Sequence, residues 1–205
     1  MRVRDNTVDW SYPPPRRGWR GWWDRLVGPG ATPAEQGVTL AAGGVGALGV
    51  VFHAAWHQLP WAWWEYAIAF VIALDIVGGV FANATSSAKR WHHRAGQSGR
   101  QHFGFLALHG VHIMLVASLF GDSPVTYGAV SYGYLLLAGI AILTVPLRLQ
   151  RPTGQLAACG GIFLAVWGLP EIPGWEWFLP VLVIKLITGH ATLETPFVTQ
   201  SGLRR

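Results

Sequence analysis

The sequence is poor in charge, in cysteine and in internal repetition. Charged residues make up 12% of the 205 residues and hydrophobic residues 51%, whereas a soluble domain carries about 25% charged residues. Because Cys159 is alone in the chain, an internal disulfide and a thiolate metal cluster are both excluded. The absence of a repeat disfavours a transporter built from inverted repeats. The N-terminal segment lacks the apolar stretch of a cleavable signal peptide.

The sequence instead contains several long apolar runs. They predict an all-α integral membrane protein with six transmembrane helices, since a helix of about 20 apolar residues crosses a bilayer. The fifth run is short and contains Gly160 and Gly161, which predicts a short or partly broken helix. The predicted spans are residues 37–57, 61–84, 102–120, 125–147, 155–169 and 176–193.

The basic residues fall on one side of this map. Of the 15 Lys and Arg residues, only Lys185 lies inside a predicted span, and the connections after spans one, three and five contain none. The positive-inside rule therefore predicts that both termini are cytoplasmic, in a multi-pass protein of the cell membrane. The predicted parts are an interfacial or cytoplasmic tail (1–36), a six-helix domain (37–194) and a short cytoplasmic tail (195–205).

The same distribution of charge indicates the partners. Since the basic residues flank apolar spans, they indicate lipid headgroups as partners, not nucleic acid. The segment 18–27 interleaves Trp with Arg, which is typical of a membrane interface. Gly43, Gly46 and Gly78 offer small surfaces for close helix packing, and a homo-oligomer face is the alternative.

Asp75 is the most informative residue, because it lies well inside the second apolar run. A carboxylate at the centre of a spanning helix costs roughly 2.5–3.5 kcal/mol on insertion scales. Ionisable residues at such positions usually face the protein interior and serve a function. Asp75 therefore predicts a polar site buried in the membrane domain.

The depth of each residue in its span, and its angle around the helix, indicate which residues lie near Asp75. It lies about 13 Å from the cytoplasmic end of span two, at 1.5 Å per residue. His109 and His112 lie about 10 and 15 Å into span three, and they share a stripe with His102. On α-helical geometry Lys185 is about 140° from His190, so we expect these two side chains to face different neighbours.

This pattern predicts a metal centre. Imidazole and carboxylate ligands suit Zn, Fe or Mn, and a set with an open position suits Lewis-acid or oxygen-activating chemistry. The predicted ligands are His109, His112 and Asp75, with Asp75 and His190 as the catalytic groups and His190 as fourth ligand or proton shuttle. A hydrogen-bonded network that only holds the helices together is the structural alternative.

A basic loop lies at the cytoplasmic mouth of this site. Lys89, Arg90 and Arg94 are predicted to receive an anionic headgroup of a lipophilic substrate. Other polar residues are predicted to support or gate the site: Asn83, His92, His93, His102, Lys185 and Glu194.

The leading function is therefore a metal-dependent membrane enzyme that acts on a lipophilic small molecule. Three alternatives stay open: an electron-transfer protein with one haem between spans three and six, a proton-coupled carrier, and a metal-free membrane terpene cyclase with Asp75 as its acid. A second histidine pair, His53 and His57, lies one turn apart at the other end of span one. Tryptophans surround that pair, which favours an interfacial belt over a second site.

Overall fold

The computed structural model describes residues Asn6–Thr199 and shows an almost entirely helical chain. Parts of both predicted tails, with Arg2, Arg4, Arg204 and Arg205, lie outside the described residues. The described helices are α1 (Gly18–Val27), α2 (Pro33–Trp56), α3 (Trp63–Ala84), α4 (Ser86–His92), α5 (Gly99–Leu108), α6 (Gly110–Phe120), α7 (Pro124–Thr144), α8 (Leu147–Phe163) and α9 (Phe178–Val183). Two π-helical segments continue α8 and α9: π1 (Leu164–Gly168) and π2 (Ile184–Ala191).

Four helices are long and apolar enough to cross a membrane, and they match predicted spans one to four. They are Pro33–Trp56, Trp63–Ala84, Gly99–Phe120 and Pro124–Thr144. The third combines α5 and α6, which meet at a tight turn where the His109 amide bonds to the Leu106 carbonyl (3.1 Å). The chain is therefore mainly helical, with four helices that could cross a membrane by their length and composition.

The fifth and sixth predicted spans are also helical but differ from the other four. Helix α8 begins at Leu147, eight residues before the predicted start at 155, and contains Pro152. The last helix, Phe178–Ala191, is shorter than its prediction, and most of its residues are buried, among them Phe178, Leu182 and Leu186. Its second half packs against α3, α7 and α8, so this helix forms the centre of the bundle.

Glycines let α2 and α3 approach closely, as the sequence indicates. A Cβ atom at Gly43 would lie 3.0 Å from the Leu74 carbonyl oxygen, and one at Gly46 would lie 2.7 Å from Val77. At Gly44 and Gly49 an added Cβ atom would meet nothing within 4 Å. Packing between these two helices therefore uses one side of the glycine-rich stretch.

The two chain ends meet on one side of the protein. Strand β1 (Asn6–Val8) pairs antiparallel with β2 (Phe197–Thr199), with Thr7 opposite Val198. The Asp9 amide also donates to the Pro196 carbonyl at 3.1 Å. The sequence-based description of two separate tails misses this contact.

Candidate functional site

Asp75 is paired with a lysine from the central helix. Lys185 Nζ donates to Asp75 Oδ2 at 2.6 Å, and His112 Nε2 lies 3.3 Å from the same oxygen. The lysine side chain is 4% exposed and the Asp75 side chain 48%. Lys185 lies on the π-helical segment π2 of the central helix.

Gly79 makes the ion pair possible. It lies one turn after Asp75 on α3, and a Cβ atom there would lie 2.9 Å from Lys185 Cδ and 3.0 Å from its Nζ. Such distances are shorter than van der Waals contact, so a side chain at this position would displace Lys185. The lysine therefore reaches Asp75 across the bare backbone of Gly79.

His109 and His112 complete a group of candidate metal ligands. One ligand atom each from Asp75, His109 and His112 lies within 4.8 Å of the others. His109 Nδ1 faces the Phe105 carbonyl oxygen at 2.9 Å, and donation there leaves Nε2 as a free acceptor. His112 Nδ1 is buried and has no hydrogen-bond partner. We call Asp75, His109, His112 and Lys185 the Asp75 cluster.

The Asp75 cluster is open toward an apolar surface. His112 and Asp75 are partly exposed, at 27% and 48% of their side chains. The neighbouring helix surface carries exposed apolar side chains, including Val71 (62%) and Val111 (55%). A molecule that reaches the carboxylate from this side must therefore pass apolar side chains.

Four further histidines form a second group. His102 Nδ1 lies 3.1 Å from His190 Nε2, and the His92 ring centroid is 4.8 Å from that of His190. The His93 ring stacks on His102 at 4.7 Å, and its Nε2 contacts the His190 carbonyl oxygen at 2.9 Å. We call these four residues the histidine cluster.

His190 therefore belongs to the histidine cluster, and the structure does not place it beside Asp75 as the predicted fourth ligand. The Phe105 ring lies between the two groups, 4.2 Å from His190 and 4.7 Å from His109 between centroids. Lys185 and His190 face different neighbours, Asp75 and His102, as the angle between them predicts. Both residues are buried, at 3% and 4% exposure.

His92 and His93 are neutral at pH 7. Burial lowers the pKa of His92 to about 4 and the pKa of His93 to about 3. The neighbouring imidazoles and the cation Lys89 shift both pKa values in the same direction. Neutral imidazole is the form that binds metal ions.

Lys89 is occupied by backbone groups of the central helix. Its ammonium donates to the Gly189 carbonyl and, at 2.7 Å, to the Thr192 carbonyl. Burial lowers its pKa to about 8. These bonds satisfy carbonyls at the end of π2, so Lys89 is not free to receive a headgroup as predicted.

Arg90 and Arg94 differ in how much of their hydrogen-bonding capacity is used. Arg94 lies 3.8 Å from the centroid of the Trp91 ring and donates to the Trp91 carbonyl at 2.5 Å. Arg90 is 8% exposed and donates through Nη2 to Ser87 Oγ at 3.0 Å. Its Nε and Nη1 are buried without a partner. Arg90 is therefore the cation of this loop with unused donors.

The other predicted support residues have separate partners. Asn83 Nδ2 donates to the Lys185 carbonyl oxygen at 3.2 Å, so Asn83 holds the backbone of π2 and does not touch Asp75. Glu194 lies 3.5 Å from Arg151 in an exposed ion pair. At the other end of α2, the His53 and His57 rings are 4.4 Å apart.

No family model, curated protein or solved structure matches this chain. The site must therefore be interpreted from its own chemistry.

Proposed function

We propose that this protein is an enzyme of the cell membrane that acts on a lipophilic small molecule at a transition-metal ion held by Asp75, His109 and His112. The observation that carries the proposal is the grouping of one carboxylate and two imidazole ligand atoms within 4.8 Å, on apolar helices. Such a set leaves coordination positions open and suits Zn, Fe or Mn. An ion there would supply Lewis-acid or oxygen-activating chemistry.

The surroundings of the three ligands favour this interpretation. Metal-binding histidines usually donate their other ring N–H to a carbonyl or carboxylate, and metal-binding carboxylates accept a hydrogen bond. His109 has such a bond to Phe105, and Asp75 Oδ2 accepts one from Lys185, which leaves Oδ1 for an ion. His112 faces Asp75 through Nε2, and its Nδ1 has no such partner.

The side chains around the Asp75 cluster indicate the class of substrate. Val71, one turn before Asp75, and Val111, next to His112 in the sequence, are both exposed, so a lipophilic molecule can approach along the apolar surface. At the predicted cytoplasmic end, Arg90 has two unused donors for an anionic headgroup. Of the three cations predicted for that role, the proposal now rests on Arg90.

A metal-free acid–base site is the second candidate, because Lys185 already balances the charge of Asp75 at 2.6 Å. In this candidate the ammonium of Lys185, and not a metal ion, compensates the charge of the carboxylate. A proton-coupled carrier and a terpene cyclase with Asp75 as acid both belong to this candidate. Haem between spans three and six is disfavoured by the contact of His102 with His190.

Metal analysis separates the two candidates. We expect wild-type protein purified without chelator to contain a transition metal and the double variant His109→Ala/His112→Ala to lose it, because two of three protein ligands are removed. The matched control is His53→Ala/His57→Ala, which removes two histidines from the other end of α2. Inductively coupled plasma mass spectrometry measures the content. Equal content in the two double variants, or no metal in the wild type, would reject the metal centre in favour of the acid–base site.

We propose six spans with both termini in the cytoplasm. The pairing of β1 with β2 supports an even number of spans, because it requires both ends on the same side. The basic connections after spans two and four support the orientation. The short central helix spans within a shell of other helices, which shields its polar residues from lipid.

Reporter fusions test this topology. Fusions after His57 and Gly121 are expected to report the outer side, and fusions after Arg94 and Arg151 the cytoplasmic side. Alkaline phosphatase reports the outer side and green fluorescent protein the cytoplasmic side, so each fusion site is tested by two opposite signals. A cytoplasmic signal after Gly121 would contradict the proposed map.

A further inference from the structure

A cavity of about 440 Å³ lies between α2, α3 and the start of α9. Its walls are mainly apolar, with Val50 of α2, Val77 of α3 and Val181 of α9 among the lining side chains. The volume lies within the range of about 300–1,000 Å³ that sites for small molecules usually have. None of the described lining residues belongs to the Asp75 cluster or the histidine cluster, so the cavity is separate from both.

The cavity opens to the surface beside Gly49, which lines it. Gly49 is exposed, and a Cβ atom added there would meet nothing within 4 Å. The nearby side chains of Leu48 and Phe52 are also exposed, at 63% and 67%. A hydrocarbon chain can therefore enter the cavity from the apolar surface of α2.

The polar groups of the cavity belong to the end of α2 and to the segment before α9. His53 lies in the last turn of α2, and Glu176 and Trp177 directly precede α9. Glu176 Oε1 accepts a hydrogen bond from the Gly174 amide at 3.1 Å, and Trp177 Nε1 donates to the Gly174 carbonyl at 3.0 Å. Among the described residues Glu176 has no ion-pair partner, so its charge is available to a ligand.

The connections at this end of the bundle are acidic and contain no lysine or arginine. They lie together, because an added Cβ atom at Gly174 would lie 2.7 Å from Leu59 and one at Gly121 would lie 3.0 Å from Ile172. Residues 57–62, 121–123 and 169–177 include the carboxylates of Asp122, Glu171 and Glu176. An amine is therefore attracted to this end of the protein, whereas a carboxylate or a phosphate is repelled.

We propose that this cavity binds an amphiphile that carries a protonated amine on a hydrocarbon chain. The chain occupies the apolar part, and the ammonium donates to the Glu176 carboxylate beside the Trp177 ring. Ammonium–carboxylate hydrogen bonds are strong, and indole rings attract cations. The site goes beyond the proposed function, since it requires neither the metal ion at Asp75 nor Arg90.

Native mass spectrometry in a nonionic detergent tests the proposal, with dodecylamine as the probe and dodecanol as the uncharged probe of matched length. We expect the wild type to bind one dodecylamine, and to bind dodecanol at least about tenfold more weakly, because only the amine pairs with the carboxylate. The Glu176→Gln variant is expected to bind the two probes within about threefold of each other.

Two phenylalanine variants locate the site. Gly49→Phe places a ring in the cavity and is expected to weaken dodecylamine binding at least about tenfold. Gly44→Phe is the matched control, because Gly44 does not line the cavity and an added Cβ atom there would also meet nothing within 4 Å. We expect this variant to bind dodecylamine as the wild type does.

Three results would overturn the proposal: no binding of dodecylamine, equal binding by the two phenylalanine variants, or equal affinity of the wild type for amine and alcohol. Competition with phosphatidylethanolamine identifies the source of the amine. Displacement of dodecylamine would assign the site to a lipid headgroup, and retention would assign it to a free alkylamine. The metal content of all these variants is expected to equal that of the wild type, so failure here leaves the proposed function standing.

Discussion

Asp75→Asn is expected to lower the free energy of unfolding by about 3 kcal/mol, because it leaves the ammonium of Lys185 buried without a carboxylate. Lys185 is 3% exposed, and its hydrogen bond to Asp75 is 2.6 Å long. The estimate is at the low end for a broken buried pair, since the Asp75 side chain is 48% exposed. Unfolding in mixed detergent micelles measures the change. The variant is also expected to lose activity, because the amide retains the shape of the carboxylate but not its charge or basicity.

A double-mutant cycle identifies the cause. Lys185→Met removes the ammonium and retains an unbranched apolar chain. The double variant Asp75→Asn/Lys185→Met is therefore expected to lose less free energy of unfolding than the two single variants lose together. The expected difference is at least about 1 kcal/mol. If the two single effects simply add, the ion pair contributes no coupling and the assignment of Lys185 to Asp75 fails.

Gly79→Ala is expected to weaken metal binding at the Asp75 cluster by 10–100-fold, the usual effect of removing the group that holds a ligand. The new methyl group occupies the path of Lys185, which then withdraws from Asp75. The fold is expected to remain, because the displaced atoms belong to the end of a flexible side chain. Competition with a chelator of known affinity measures the change.

Gly78→Ala is the matched control for this variant. A Cβ atom there would lie 3.4 Å from Gly43 Cα and from the Thr39 carbonyl, which is ordinary contact. We expect the affinity of this variant to stay within about threefold of wild type, a difference below 1 kcal/mol. Equal loss in the two alanine variants would mean that helix packing, and not the position of Lys185, controls the site.

The sequence by itself determined the class of the protein and the first half of the site. Apolar run length predicts the four long helices, since crossing a bilayer requires a fixed number of apolar residues. Asp75, His109 and His112 were predicted as one group, and the structure brings them together. Their proximity follows from depth, which residue spacing along a helix gives, whereas metal binding by them stays a prediction.

Tertiary structure decided the partners of Lys185 and His190. Both lie on π2, which packs against α3, the helix of Asp75, and α5, the helix of His102. The sequence places Gly79 one turn after Asp75, but the open path across Gly79 depends on which side chain packs against it. The orphaned nitrogens of His92 and His190 are likewise a property of the assembled bundle. Residue spacing fixes directions within one regular helix, whereas contacts between helices depend on packing, which no single segment of sequence contains.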